Sequence, residues 1–178
     1  MSDLLSLGLL IIRVVAGLTL AAHGAQKLFG WFGGDGFDAT VQMQEKIGLR
    51  PPMLWAVLVI LGELGGGLSV ALGFLTPLGA AAMLGDMLMA IVKVHLKNGF
   101  FNTKGGFEYP LMLLTIGVAI GVAGPGRYAL DSLLGMTLSA PLLFGVLAIA
   151  ALLVDSIGII ISQPPAGRPG ETRAAQPR

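Results

Sequence analysis

The sequence predicts an all-α integral membrane helical bundle, a four-helix core followed by a fifth transmembrane helix. Three observations carry that reading. The chain has 178 residues, of which 54% are hydrophobic and only 12% charged, with mean hydropathy +0.83; a soluble domain would carry about 25% charged residues. Five apolar runs follow one another, the fourth being the shortest, against the roughly 20 apolar residues that cross a bilayer. Arg13, Glu63 and Asp86 lie near the middle of three of these runs, where an ionisable side chain normally faces a bundle interior and a partner.

The first run covers residues 4–29. Arg13 and Lys27 are 14 residues apart, so on a regular helix they stand within about 40° of each other, and His23 flanks the same stripe one turn before Lys27. A cleaved signal peptide is not expected. No Lys or Arg precedes the run, Asp3 sits where a positive charge belongs, and Arg13 interrupts the apolar stretch. Leu28-Phe29-Gly30-Trp31-Phe32-Gly33-Gly34 then makes an aromatic exit at a headgroup boundary.

Residues 35–50 read as an interfacial connection with a short amphipathic helix at 37–47. Pro51-Pro52 opens the second span, 53–74, where proline suits a helix start. This span contains Glu63 and Gly65-Gly66-Gly67; Gly65, Ser69 and Gly73 recur every fourth residue, a small-residue face for close helix approach. Thr76-Pro77 turns the chain into the third span, 77–95, with Asp86 near its centre and Lys93 at the same angular position. A polar loop with aromatic anchors, 96–107, leads to the fourth span, 108–123, which Gly124-Pro125-Gly126 stops. Arg127 and Asp131 read as an i,i+4 pair in a solvated turn. Residues 138–162 form the fifth run, with Asp155 in its last third and wetted at the boundary. From Gln163 the chain is Pro/Gly/Arg-rich and is expected to be disordered.

Counting Lys and Arg by loop sets an orientation. Lys27, Lys46 and Arg50 follow the first span, Lys93, Lys97 and Lys104 the third, and Arg168, Arg173 and Arg178 the fifth, while the opposite side has only Arg127. The three basic regions are therefore expected in the cytoplasm, with the amino terminus outside a plasma (inner) membrane. A net charge of +1 gives no reason to expect a nucleic acid partner. The absence of cysteine excludes disulfides, persulfide chemistry on this chain and Cys-ligated zinc or iron–sulfur sites; no metal site is read.

Burying mid-depth charges together is cheaper than leaving one alone in lipid. The expectation is a polar pocket open toward the cytoplasm, floored by Arg13, Glu63 and Asp86, with Lys27, Lys93 and Glu108 at its inner boundary. Blander roles stand beside this one. Lys27, Lys93 and Lys97 can snorkel to headgroups, and Arg13, Glu63 and Asp86 can form a purely structural ion-pair network. Bis-histidine haem through His23 and His95 is disfavoured, because His95 falls about 180° from Asp86 on a regular helix.

The order of these residues resembles the DoxX family. Arg13, Gly17, His23-Gly24-x-x-Lys27, Glu63 with Gly66-Gly67, Gly73-x-x-Thr76, Asp86, His95-x-x-x-Gly99-Phe100, Glu108 and Gly124-Pro125-Gly126-x-x-x-Leu130-Asp131 are spaced as in that family. The likeness runs from residue 4 to about residue 131, with Ala129 in place of a common serine. It implies a four-helix membrane bundle over residues 1–135, with an additional transmembrane helix at 136–162 and the tail at 163–178 outside the pattern. The family is named for its likeness to a small subunit of thiosulfate:quinone oxidoreductase, and members are linked to a thiosulfate sulfurtransferase and a superoxide dismutase. The resemblance assigns no catalytic residue. Its polar positions are Arg13, His23, Lys27, Glu63, Asp86, His95 and Glu108, the ligand-binding candidates here.

The leading expectation is a membrane subunit of a redox system that binds a quinone or similar carbonyl-bearing amphiphile, with electrons supplied by soluble redox or sulfur-transfer partners. His23 or Lys27 would hold an oxygen, and Glu63 and Asp86 would supply protons. Two alternatives use the same residues differently. A proton-coupled small-molecule permease would need oligomerisation, such as a homo-oligomer, in so small a chain. A membrane anchor would recruit soluble enzymes through its basic loops.

Overall fold

The computed structural model describes residues 3–136 and 140–162, all of whose regular elements are helical. The tail expected to be disordered, 163–178, and the first residues of the fifth run lie outside the described residues. Among the described residues, apart from single 3₁₀ turns at Trp31–Gly33 and Asn102–Lys104, seven helices follow in order: α1 (Asp3–Phe29), α2 (Gly36–Lys46), α3 (Pro52–Leu72), α4 (Thr76–Asn98), α5 (Glu108–Ala123), α6 (Leu130–Leu133) and α7 (Ala140–Ile161). Helices α1, α3, α4 and α7 are long and apolar enough to cross a membrane. With 16 residues, α5 rises only about 24 Å, short of the roughly 30 Å of hydrocarbon.

The long helices are apolar on nearly every side because one side meets lipid and the other meets neighbours. On α1, Leu4, Ile11, Val15 and Leu18 are exposed, whereas Arg13, Ala16, Gly17, Leu20, Ala21 and Gly24 are buried at helical spacing. Leu20, Val70, Met83, Met87, Leu113 and Ile120 bring α1, α3, α4 and α5 around one core. Helix α7 packs outside them, with Phe144 and Ala148 on Ala80 and Ala81 of α4. Successive spans alternate in direction, so one end of the bundle carries Lys27 and the other carries the loop around Pro125.

Two spans depart from regular α-helix. Leu61–Gly66 in α3 and Ile91–His95 in α4 are π-helical, with i→i+5 bonding that advances less per residue. This moves the helix faces that regular spacing predicts. Gly65 has open space beside it, so it is not part of the close contact expected for Gly65, Ser69 and Gly73. The tight α1–α3 approach uses Gly17 and Gly67 instead. A methyl group at Gly17 would stand 2.5 Å from the Ala71 nitrogen, and one at Gly67 would stand 2.5 Å from the Ala21 nitrogen.

Candidate functional site

The mid-depth charges do not meet in one network; they separate to the two ends of the bundle. Arg13 is 1% exposed and donates from Nη1 to the Pro125 carbonyl (2.5 Å) and from Nη2 to the Tyr128 carbonyl (2.9 Å). It reaches these oxygens past Gly73, whose φ of +65° and missing side chain leave the guanidinium its space. Asp131 is buried beside it and accepts from the Leu75 nitrogen (2.7 Å) and the Thr76 nitrogen (2.9 Å). The carboxylate thus caps the start of α4 and holds Leu75 at φ +50°. The cavity at this end is only about 50 Å³.

Two expectations change here. Asp131 is not in a solvated pair with Arg127, whose Nη1 binds Asp3 at 2.5 Å instead. The i,i+4 rule fails because the helix around Asp131 begins only at Leu130. Nor does Arg13 floor a pocket with Glu63 and Asp86: its Nη1 and Nη2 turn to the loop carbonyls, and it does not line the large cavity that opens at the other end.

From the other end a cavity of about 1140 Å³ runs along α3 and α4 as far as Phe74, Leu75 and Leu78. Lys27 closes one side of it with an ion pair to Glu63; the lysine side chain is 31% exposed and the glutamate 7%. His23, one turn before Lys27, sets its ring 5.5 Å from that of Tyr109. Asp86 lies against Gly62, in the π-helical turn of α3, where a Cβ would overlap its carboxylate. His95 Nδ1 donates to the Gly105 carbonyl at 2.7 Å, which leaves Nε2 as the free ring nitrogen. His23, Lys27, Glu63, Asp86 and His95 all line this cavity.

The π-helical turn of α4 explains which residues of that helix face inward. His95 shares the cavity with Asp86, although regular spacing puts it on the opposite side, and Lys93 does not line it. Glu108 is absent from the lining too. Its Oε2 accepts from the Asn102 nitrogen at 3.0 Å, which folds the 96–107 loop back on itself. Of the seven candidates, five therefore come together, while Arg13 and Glu108 hold loops elsewhere.

Three further contributors to the cavity carried little sequence signal. Helix α2 is tied to α1 by the Thr40 hydroxyl, which donates to the Lys27 carbonyl at 3.1 Å. It lays Met43 and Gln44 over the Lys27 end, so the expected opening to the aqueous side is partly covered. Tyr109 adds a buried hydroxyl without a hydrogen-bond partner among the described residues. Asp155 is 7% exposed and lines the cavity, rather than being wetted at the boundary. Along the side, exposed Leu61, Leu68, Leu72 and Leu78 extend the cavity as an apolar groove toward lipid.

The DoxX family model matches residues 8–96. The inner membrane protein YqjF of Escherichia coli is 31% identical over 136 residues, 75% of this chain and 97% of that protein. The inner membrane protein YphA of the same organism is 27% identical over 132 residues, 69% of this chain and 87% of that protein. No solved structure matches the chain.

Proposed function

The chain belongs to the DoxX family of membrane proteins, and on that premise we propose that it is the membrane subunit of a redox system, binding a quinone-like amphiphile. The observation that carries the reading is the form of the large cavity. Ionisable side chains crowd one end, and an apolar groove of exposed leucines leads away along the side. An amphiphile with a polar ring and an isoprenoid-like tail matches that division. The tail buries apolar surface and the ring meets the few polar groups that orient it.

His23 and the N–H groups of Lys27 not used by Glu63 hold a ring oxygen, and Asp86 exchanges a proton with it. Glu63 sets the position of Lys27 rather than serving as a free acid. Electrons pass to or from a soluble partner docking on the basic loops, which we assign to the cytoplasmic side with the amino terminus outside. Mass spectrometry of the gently extracted protein tests the reading. A quinone or quinol retained by the wild type and lost from His23→Ala supports it; a wild-type cavity filled only by phospholipid or detergent overturns it.

A further inference from the structure

Helix α2 lies over the polar end of the large cavity, and its two buried side chains use their polar groups differently. Thr40 and Gln44 stand one turn apart on the face of α2 that turns into the protein. The Thr40 hydroxyl is directed at the Lys27 and Gly36 carbonyls, at 3.1 and 3.0 Å. The side chain of Gln44 makes no hydrogen bond among the described residues, although the residue is only 7% exposed and lines the cavity with His23 and Lys27. Nor is either of its amide atoms among the side-chain polar atoms sealed in without a partner. The carboxamide is therefore reachable from the cavity.

A buried amide without a hydrogen-bond partner costs free energy that an apolar side chain would not. Met43, Ile47 and Leu49, which line the cavity from the same stretch of chain, are apolar, so the roof needs no polar residue for its packing. Resting on the amphiphile reading above, we infer that Gln44 is a ligand-binding residue, its carboxamide holding an oxygen of the bound amphiphile from the α2 side. A carbonyl oxygen accepts from the amide N–H2, and a hydroxyl donates to the amide oxygen, so one side chain holds the oxidised and the reduced ligand alike. The ligand thereby bridges α2 and the bundle, with His23 and Lys27 on its α1 side.

The test pairs two variants, Gln44→Met and Gln44→Leu, with two probes, a decyl-substituted benzoquinone and decylbenzene, which keeps the ring and chain without oxygens. Calorimetric titration of the full chain in detergent reads the affinities. Both variants should bind the benzoquinone about tenfold more weakly than the wild type does, the equivalent of one hydrogen bond, and should bind decylbenzene equally well. Thermal unfolding without ligand should be unchanged or raised, because no protein partner is lost. Equal weakening toward both probes, or a lowered melting temperature, makes Gln44 a packing residue of the roof and overturns the inference. Unchanged benzoquinone affinity overturns it too, with water as the partner of the amide. In each of these outcomes the wild type still binds the benzoquinone and the amphiphile reading stands. A wild type that does not bind the benzoquinone overturns both.

Discussion

The two ends of this bundle bury similar side chains and use them in opposite ways. At the Arg13 end, the guanidinium and the Asp131 carboxylate each bind two backbone groups, and little free volume remains. At the Lys27 end, one ion pair forms and two carboxyls are left facing a large cavity. Charge inside a membrane marks function by default, yet here the more deeply buried Arg13 is a fastener. What separates a fastener from a site is where the hydrogen bonds go.

The largest expected effect breaks the fastener. Arg13→Ala and Asp131→Ala should each lower stability by about 3–5 kcal/mol, because each strands a buried, charged partner set. Denaturation in mixed detergent micelles measures this. Adding Glu63→Gln to Arg13→Ala should recover nothing, the two losses summing to within about 0.5 kcal/mol; recovery would join the two ends into one network. Next comes the contact that spans both ends. Gly17→Ala should cost about 1–3 kcal/mol by overpacking α1 against α3, and a neutral result would mean the helices can separate freely.

The sign should then reverse at the cavity. Asp86→Asn and Asp155→Asn replace buried carboxyl groups that each have an oxygen without a protein partner, so each should be neutral or stabilising by up to about 2 kcal/mol. Destabilisation as large as that of Asp131→Ala would erase the distinction between the ends. His23→Ala forfeits one ring contact with Tyr109, worth about 1 kcal/mol, and should abolish ligand retention in the same preparation. If melting and bound ligand are both unchanged, His23 has no part in the site. The smallest perturbation concerns only which side each end faces. Lys46→Cys and Lys104→Cys, in a chain without cysteine, should resist an impermeant thiol reagent applied from outside. Labelling of both would turn the bundle over and put the cavity end outside.

Composition and spacing alone determined the class of this protein and the order of its helices. Apolar runs of membrane length, proline at the start of α3 and the Gly124-Pro125-Gly126 stop are local features, and the helix ends follow them closely. The amphipathic stretch at 37–47 became α2 for the same reason. Five of the candidate polar residues were also legible, since an ionisable group in an apolar run must turn inward wherever its neighbours lie.

Which inward groups meet was decided only by the tertiary structure. The π-helical turns at Leu61–Gly66 and Ile91–His95 shift the faces of α3 and α4, bringing His95 in and leaving Lys93 out. A count of about 100° per residue cannot anticipate that change. Arg13 found carbonyls in a loop more than a hundred residues away, and Asp155 reached the cavity because α7 packs on α4. Helical spacing is a property of one segment; the pairing of buried charges depends on how separate segments pack, and for that the local sequence carries no rule.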